Sequence, residues 1–579
     1  MVRLFEPALC VVNVQGRSQF NPSLLRPMKN STASEKLAAN DGEASQLLFV
    51  AWLGLAMTLI FGLIYFFSAP FEYESDDSAS RPYVSFVCLL VAATALSIFA
   101  IRIGLRIVHR QKSLLALIVL MAIGFRVVMA FTPPVLELDF YRYLWDGKVS
   151  AAGFSPFAYS PDQIKSVDLI RAGGDSTAGP LRSLAEIAAQ SEANHAIINR
   201  IHYADHTTIY PPVSQLVFRL SAMLTPPQTS VQFHILVLRI LLIGFDLGTI
   251  LVLALLFKTL ERNYAWLIAY AWNPLVIKEI SNSAHLDSIA IFFVVLSVWF
   301  VIRARRNKPT PSAIAGGIAL ALGVGAKLFP VVIAPALFFA LFKAGWQKGV
   351  YFAIAFGVTT LVVLSPMLLR SQVAETESEK TKDGLTSFLS TWRMNDVIFS
   401  SVYHNLKPYT GRGNSYWYAV TPNSFRQKVV DMTGTRLGND PAFRLARIIT
   451  LVLFAVIYLC FVKRFLVADD HHVLSGLLYL LFAFLMLQPT VNPWYWVWAI
   501  PFTCFISRWG WVAVSAVLSI YYLRYWFREL NFEFAFLGHS YKDEAIFHHF
   551  VAWGEFIAIV ILILASSKFV SASQAKKVI

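Results

Sequence analysis

The sequence predicts an all-α polytopic membrane protein with two large loops on the extracytoplasmic side. Of its 579 residues, 56% are hydrophobic and only 15% are charged, whereas soluble domains carry about 25% charged residues. The mean hydropathy is +0.57. Apolar runs of about 17 to 25 residues, the length that crosses a bilayer as a helix, recur along most of the chain and predict about 14 spans.

Short charged loops separate most of the predicted spans, and two long loops, 132–231 and 370–442, interrupt the series. In chain order the predicted spans are 46–69, 82–108, 113–131, 232–257, 264–281, 285–303, 311–326, 328–343, 348–369, 443–465, 472–488, 493–507, 509–524 and 546–567.

The ends of the chain differ from its apolar middle. Residues 1–45 are polar and mixed and contain no apolar signal-peptide core. We expect them to form a disordered cytoplasmic tail, with Met28 as an alternative start. Residues 46–567 then form one transmembrane domain, followed by a cytoplasmic tail at 568–579.

The distribution of charge predicts the orientation. Lysine and arginine cluster in the short loops after spans two, six, eight and ten, which the positive-inside rule places in the cytoplasm. The acidic loop 70–81 and both long loops then lie outside, and both termini inside. The net charge of +14 therefore reports topology and not nucleic-acid binding. The four cysteines lie far apart, without metal-ligand spacing.

The stretch 133–161 carries the densest set of functional candidates. Glu137 and Asp139 follow a double proline directly after the third span, and a helix start with Tyr143, Trp145 and Asp146 comes next. A carboxylate here can act as a general base toward a hydroxyl or hold a metal ion. The alternative is ordinary solvated loop charge. The aromatic and charged density behind the pair favours a functional site.

Further polar motifs lie at the same predicted membrane face. Tyr210 precedes a double proline and could line a pocket, although scaffolding explains this motif equally. His285 and Asp287 open the sixth span, where they could hydrogen-bond a sugar or orient a catalytic group. Helix capping is the competing explanation for Asp287, and a buried structural histidine is the competing explanation for His285.

Two cations at membrane depth are candidates for binding a lipid phosphate. Lys327 lies between two apolar runs near the outer leaflet, where the positive-inside rule does not explain it. Arg126 lies inside the third span. A guanidinium or ammonium is a natural partner for phosphate, whereas snorkelling to the interface is the alternative for Arg126.

The second long loop and a late span boundary supply the remaining candidates. Arg393 and Asn395 lie in an amphipathic segment and could meet a phosphate or sugar hydroxyls, although an interfacial helix explains most of the segment. Asn492, Trp494 and Tyr495 belong to a run of aromatics that could stack on a sugar. An aromatic belt at the interface is the alternative.

These motifs together resemble the C-type superfamily of integral-membrane glycosyltransferases, in particular its bacterial polyprenyl-phosphate-mannose-dependent mannosyltransferase branch. The most specific resembling stretch is ELDFYRYLWDG at 137–147. The weaker ones are GFSPFAYSP (153–161), IYPPVSQ (209–215), NPLVIKE with SNSAHLD (273–287), GAKLFP (325–330) and NPWYWVW (492–498). They occur in order over about residues 113–500, and the N-terminal tail and residues after about 525 are not covered.

The resemblance implies a fold of many helices, a large first extracytoplasmic loop and a sugar donor linked to a lipid phosphate. It implies that Asp139 is the catalytic base, with Glu137 completing an acidic pair. It also implies that a basic residue near the donor phosphate corresponds to Lys327 or, less directly, to Arg126. The family varies in its need for a metal, so a divalent cation at Glu137 and Asp139 stays open.

The resulting hypothesis is a membrane enzyme, expected in a bacterial plasma membrane. It would transfer a hexose, with mannose inherited from the resemblance, from a polyprenyl-phosphate sugar to a lipid or glycan acceptor on the extracytoplasmic face. A transporter or flippase of lipid-linked glycans is the rival, but it would place binding groups near the midplane and often shows repeats. A ligase that moves a whole glycan shares the same topology.

Overall fold

The computed structural model describes residues 33–75, 80–167, 179–307, 310–369, 384–409, 416–437, 440–467 and 469–566. The predicted N-terminal tail up to residue 32, including Met28, lies outside these residues. So do the acidic beginning of the second long loop and the predicted C-terminal tail.

The structure is 76% helical with almost no sheet, which confirms the prediction of an all-α membrane protein. The helices before the first long loop are α1 (Ala33–Phe66), α2 (Tyr83–Gly104) and α3 (Gln111–Phe131). The first long loop contains α4 (Phe140–Ala151), α5 (Pro161–Lys165), α6 (Pro180–Ala189), α7 (Glu192–Asn199) and α8 (Pro212–Met223).

The middle of the chain alternates long helices with short ones. These are α9 (Val231–Thr259), α10 (Ile268–Ala271), α11 (Pro274–Val276), α12 (Asp287–Asn307), α13 (Thr310–Ala326), α14 (Ala334–Ala344) and α15 (Trp346–Leu368). The second long loop contains α16 (Gly384–Thr391), α17 (Val397–Leu406) and α18 (Asn423–Leu437). The last part comprises α19 (Pro441–Val467), α20 (Asp470–Leu487), α21 (Pro493–Trp496), α22 (Ile500–Thr503), α23 (Gly510–Leu518), α24 (Leu523–Glu529), α25 (Glu544–Ile546) and α26 (Ala552–Ala565).

Among the described residues, nine helical segments are long and apolar enough to cross a membrane. They are Asp41–Phe66, Tyr83–Gly104, Gln111–Phe131, Val231–Thr259, Asp287–Arg306, Trp346–Leu368, Pro441–Lys463, Asp470–Leu487 and Glu544–Ala565. Thr310–Ala326 and Phe329–Ala344 are shorter apolar helices. Each corresponds to a predicted span.

Three other predicted spans are not regular α-helices. Span 264–281 is divided into a 3-10 helix, two short α-helices and a π-helix, and span 493–507 into two α-helical turns. Pro274, Pro493 and Pro501 lie in these segments, and proline interrupts the hydrogen-bond ladder of a helix. Irregular backbone at membrane depth requires burial inside protein, and residues 265–290 are buried throughout. The third segment, 509–524, changes from α-helix to 3-10 helix at Ser519.

The three loops predicted on the outer side contact one another. In the acidic loop, Glu74 pairs with Arg200 of the first long loop at 2.7 Å. The rings of Tyr203 and Trp392, one from each long loop, lie 4.5 Å apart. These contacts place all three loops at one end of the helices, as the predicted topology requires.

The loops predicted as cytoplasmic meet at the opposite end. Arg305 pairs with Asp470 at 2.9 Å, and the Asn263 amide donates to the Ile107 carbonyl at 3.0 Å. Glu43 joins this end, because its carboxylate accepts hydrogen bonds from the backbone N–H groups that precede α3. Helix α1 therefore begins at Ala33, well before residue 46, where the first span was predicted to start.

A two-stranded hairpin was not predicted. Strands β1 (Glu533–Phe536) and β2 (His539–Lys542) pair antiparallel, joined by Leu537 and Gly538, which both have positive φ. This is the backbone that a tight two-residue hairpin turn needs. The Tyr541 hydroxyl accepts a hydrogen bond from the Trp417 N–H at 3.0 Å, so the hairpin packs against the second long loop.

Candidate active site

Buried polar side chains hold the segment that leads from the end of α3 to Glu137 and Asp139. The Arg239 guanidinium of α9 donates to the carbonyls of Ala130 and Thr132 at 2.6 and 2.8 Å. Asn282, the last residue of the π-helix, donates to the Thr132 carbonyl at 3.1 Å and accepts from the Val135 N–H at 2.8 Å. These bonds satisfy backbone groups that the end of α3 leaves unpaired.

Glu137 points into the protein and not toward solvent. The preceding Leu136 has a φ of 65°, in the left-handed region that non-glycine residues rarely adopt, and its carbonyl accepts from the Tyr525 hydroxyl at 3.3 Å. Glu137 is buried, and its Oε1 has no hydrogen-bond partner among the described residues. Burial raises the pKa of Glu137 to about 8, although Lys278 and His285 act in the opposite direction.

Asp139 is the more accessible of the two acids. It lies half-buried at the N-terminus of α4 and caps no backbone N–H with its side chain. The Tyr210 hydroxyl donates to its Oδ2 at 3.5 Å. Tyr210 is fixed in turn by an edge-to-face contact with Tyr143 at 4.8 Å, and Tyr143 stacks on Phe218 at 4.7 Å. The rings of Tyr143, Tyr210 and Phe218 thus orient Asp139 through its Oδ2, and its Oδ1 stays available for another partner.

Asp287 and Lys327 form a bidentate ion pair. The lysine Nζ lies 2.7 and 2.8 Å from the two carboxylate oxygens. Asp287 is fully buried and also accepts from the Trp498 indole N–H. The lysine side chain is 19% exposed and lies 5.1 Å from the centre of the Tyr495 ring. The predicted alternative of simple capping therefore does not describe Asp287, because its carboxylate is bonded to Lys327.

The two acidic centres, Asp139 and the Asp287–Lys327 pair, have two tyrosine neighbours in common. Burial, Tyr210, Asp139 and Asp287, in that order, raise the pKa of Tyr143 well above its ordinary value. Asp287 and Asp139 also interact electrostatically with the Tyr495 hydroxyl. Both carboxylates therefore act on the same two phenols, and Lys327, which is paired with Asp287, lies beside the Tyr495 ring.

A second buried cluster lies behind the acidic segment, on the π-helix Ile277–Asn282. Lys278 lies 3.2 Å from a Glu279 oxygen and 4.2 Å from the centre of the Tyr522 ring. His285 Nε2 lies 3.3 Å from the other Glu279 oxygen. π-helical turns are frequent at functional sites. Lys278 was missed as a candidate, although a charged pair inside an apolar run is a sequence signal for such a site.

The aromatic motif of α21 forms a wall beside this cluster. The Trp494 ring stacks on His285 at 4.8 Å and an interplanar angle of 19°. Asn492 occupies the N-cap position of the short helix but makes no capping hydrogen bond with its side chain, and its buried Oδ1 has no partner within the described part of the chain. An indole face and an unpaired carbonyl oxygen suit a sugar ring and its hydroxyl groups.

Two predicted cations have structural partners instead of open positions. Arg126 is fully buried, pairs with Asp246 at 2.5 Å and donates to the Ala271 carbonyl at 2.9 Å. It therefore ties α3 to α9 inside the membrane. Arg393 pairs with Asp396 at 3.0 Å and donates to Ser400 at 2.8 Å, both in its own segment of the second loop.

Two predicted sugar-binding residues of α4 belong to the interior of the first loop. Trp145 is among the largest fully buried side chains. Asp146 accepts from Arg142 at 2.8 Å and from the Gln215 amide at 3.0 Å. These contacts fasten α4 to α8, which is a structural role. Asn395 lies apart from the acidic centre and contacts Glu555 of α26 at 3.2 Å.

Among the described residues, the one group whose ligand atoms could share a metal ion is Asp469, His471 and His472, all of them exposed. Asp470, next in the chain to Asp469, pairs with Arg305 at the predicted cytoplasmic end. Glu137 and Asp139 do not belong to such a group in the part of the chain that is described.

Two known families match this chain, and the matched ranges include the acidic residues and the aromatic motif of α21. Residues 70–343 match the family described as "Alpha-(1->6)-mannopyranosyltransferase, N-terminal domain", and this match contains both acidic centres. Residues 427–526 match the "MptB C-terminal domain", which contains the aromatic wall of α21. The comparison with curated proteins found no match, and neither did the comparison with solved structures. The two matches together span well over half of the chain and confirm the predicted resemblance, so the chain belongs to the alpha-(1->6)-mannopyranosyltransferase family of membrane glycosyltransferases.

Proposed function

We propose that this mannosyltransferase takes its sugar from a polyprenyl-phosphate mannose and transfers it to a hydroxyl of a lipid or glycan acceptor. The observation that carries the proposal is that the Asp139 and Asp287 carboxylates both interact with Tyr143 and Tyr495. Asp139 is half-buried beside Tyr210, and Lys327 is paired with Asp287 at 5.1 Å from the Tyr495 ring centre. An accessible carboxylate and a cation that share these aromatic neighbours support the proposal. Glycosyl transfer from a phosphate donor needs both groups.

Asp139 acts as the general base in this proposal. It removes the proton of the acceptor hydroxyl while that oxygen attacks the anomeric carbon of the donor. The bond between the anomeric carbon and the phosphate oxygen breaks, and polyprenyl phosphate leaves with the electron pair. Tyr210 holds one Asp139 oxygen, so the other is available for the acceptor.

Glu137 does not suit the role of base. A carboxyl whose pKa is raised to about 8 by burial is largely protonated at neutral pH. It can donate a hydrogen bond but cannot readily take a proton. Glu137 therefore has a structural role as a buried neutral carboxyl group, while the half-exposed Asp139 removes the proton of the acceptor hydroxyl.

Lys327 stabilises the charge that develops on the leaving phosphate. An ammonium group has three donors, and two of them are within hydrogen-bond distance of Asp287, so one is available for a phosphate oxygen. The aromatic rings beside it limit its motion. Arg126 and Arg393 have no part in this proposal because their partners already hold them.

The reaction is assigned to the extracytoplasmic face of the membrane. The lysine- and arginine-rich loops support this orientation through the positive-inside rule. The contacts among loops 70–81, 132–231 and 370–442 are consistent with it. Asp139 belongs to the first of the two long loops.

Donor class is tested with purified protein in detergent and a soluble mannoside acceptor. Radiolabelled polyprenyl-phosphate mannose is compared with a nucleotide-linked mannose and with polyprenyl-phosphate glucose. Transfer from the lipid-linked mannose alone is expected. Transfer from the nucleotide sugar at an equal or higher rate would contradict the donor assignment.

A further inference from the structure

The β1–β2 hairpin and the residues before it carry a set of exposed apolar side chains. Those that are more than a third exposed are Trp526, Leu530, Phe532, Phe536 and Leu537. Leu537, at the turn, is the most exposed of them, at 69%. A cluster of exposed apolar side chains marks a site that contacts another protein or a membrane. Residues 527–542 lie outside both family matches, so the family assignment does not account for this feature.

The two faces of the hairpin differ in character. Side chains alternate between the faces along a strand, and the register pairs Phe534 with Tyr541 and Phe536 with His539 on one face. The other face carries four exposed residues, Glu533, Ala535, Ser540 and Lys542. One face is therefore aromatic, and the other is mainly polar and exposed.

The aromatic face packs against the start of the last membrane helix. Phe534 and Phe536 lie 4.9 and 5.4 Å from Phe550, measured between ring centres. Phe550 precedes α26 and lies seven residues before Ile557, a spacing that places two residues on the same side of a helix. Ile557 and Ile561 are exposed on the candidate span Glu544–Ala565, where an exposed side chain faces lipid. The aromatic face of the hairpin therefore adjoins the lipid-facing side of α26.

The hairpin lies at the outer end of the membrane helices. The Trp417 backbone N–H donates to the Tyr541 hydroxyl at 3.0 Å, and the Trp417 indole N–H donates to the His549 carbonyl at 2.8 Å. Trp417 belongs to the second long loop, which is predicted on the extracytoplasmic side. The chain enters the hairpin from α24 and leaves it directly into the candidate span Glu544–Ala565. The hairpin is therefore next to the membrane surface.

The composition of the turn favours lipid as the occupant of this surface. Residues 535–540 contain no Asp, Glu, Lys or Arg, and the charges of Glu533 and Lys542 lie at the end of the hairpin away from the turn. Uncharged aromatic and aliphatic side chains are typical of segments at the lipid interface. Because these side chains adjoin a lipid-facing surface and do not form a separate patch, a bilayer fits them better than a protein partner.

The backbone limits how deep the hairpin reaches. A two-stranded hairpin leaves N–H and C=O groups unpaired along its outer edges, and the hydrocarbon core excludes such groups when they face lipid. The strands therefore stay among the lipid head groups. The side chains at the turn, Phe536 and Leu537, extend from there to the boundary with the acyl chains.

We propose that the β1–β2 hairpin inserts the side chains of Phe536 and Leu537 into the outer leaflet of the membrane. The partner is a lipid surface, recognised by apolar contact and not by the charge of its head groups. Because Tyr541 of the same hairpin binds Trp417, the insertion holds the second long loop at the membrane surface.

Photolabelling of the full-length wild-type protein tests the insertion without any substitution. The protein is reconstituted in phosphatidylcholine vesicles with a diazirine probe that is confined to the bilayer, and the modified residues are identified by mass spectrometry. We expect label on residues 532–537 and on Ile557 and Ile561 of α26, and none on Glu186, an exposed residue of the first long loop. Label on α26 without label on the hairpin would overturn the proposal.

Fluorescence at two positions of the hairpin measures the depth of the turn. Leu537→Cys and the control Ser540→Cys are made in protein whose native cysteines are replaced by alanine, and each is coupled to the fluorophore NBD. Only the label at Leu537→Cys should emit at shorter wavelength in vesicles and lose intensity with nitroxide-labelled lipids. Melting temperatures confirm that both variants are folded.

Two results would contradict lipid insertion. Equal emission and equal quenching at the two positions would place the turn in water. A blue-shifted label at Leu537→Cys that is not quenched by nitroxide lipids, but transfers energy between labelled copies of the chain, would assign the surface to a second copy. Either result would overturn the proposal.

Discussion

Lys327 and Asp287 form a bidentate ion pair although they are forty residues apart in the chain, with the lysine Nζ 2.7 and 2.8 Å from the carboxylate oxygens. The pair joins the end of α13 to the start of α12 and lies next to the aromatic rings of the α21 segment. In the proposed reaction the same lysine faces the leaving phosphate. It therefore has a structural and a chemical role that can be separated.

Lys327→Met should remove both roles at once. Breaking a buried ion pair leaves an unpaired charge on Asp287 and costs about 3–5 kcal/mol of stability. In the double variant with Asp287→Asn, the melting temperature should recover and transfer should not. Recovery of both stability and transfer in the double variant would contradict the phosphate role.

Arg126→Met should lower stability without a specific effect on the donor. The guanidinium forms a buried pair with Asp246, so its loss should cost about 3–5 kcal/mol. The measurements are thermal unfolding and the KM for the donor, with Arg182→Met at an exposed surface pair as the control. A large rise in donor KM in a stable Arg126→Met protein would restore Arg126 as a phosphate ligand.

Glu137 should make stability depend on pH. Its folded-state pKa of about 8 lies above that of an unfolded glutamate, so folding takes up a proton between these values. The contribution of Glu137 to stability therefore falls as the pH rises from about 4.5 to about 8 and is constant above. Thermal unfolding of wild type and Glu137→Gln at pH 5 and pH 8 should differ in pH dependence, with the smaller loss in the variant. An identical dependence in both proteins would contradict a neutral buried Glu137.

Asn282 should affect the rate more than binding. Its amide holds the Thr132 carbonyl and the Val135 N–H, so Asn282→Ala loosens the segment that carries Asp139. We expect kcat to fall about tenfold or more, since small displacements of a catalytic group are costly, with little change in donor KM. A changed KM with normal kcat would instead place Asn282 in donor binding.

Sequence patterns were sufficient for the class of protein, and they single out the segment with Glu137 and Asp139 as a candidate site. Apolar length predicts the spans, and a double proline followed by Glu137 and Asp139 marks a membrane exit that no lipid-facing helix would contain. Patterns along one chain do not reveal pairs across it. Lys327 pairs with Asp287 at the start of α12, and Arg126 of α3 pairs with Asp246 of α9. In each pair the partner lies on a different helix, which the sequence does not show.

Local geometry explains the other differences. The turn at Leu537 and Gly538 closes a hairpin that is too short to stand out from its apolar surroundings. Trp145 and Asp146 follow the acids closely in sequence, but α4 turns them toward the interior of the first loop. Glu555 lies in an apolar helix far from Asn395 in sequence, so only the folded chain brings the two side chains into contact.

The most direct test of the central claim is the rate of transfer by Asp139→Asn. Wild type, Asp139→Asn and the control Asp162→Asn, an exposed acid of the same loop, are compared with radiolabelled polyprenyl-phosphate mannose at saturating donor. We predict that Asp139→Asn lowers kcat by about 10²–10⁴-fold, as loss of a general base does, while Asp162→Asn has wild-type activity. Full transfer by folded Asp139→Asn protein would contradict the account.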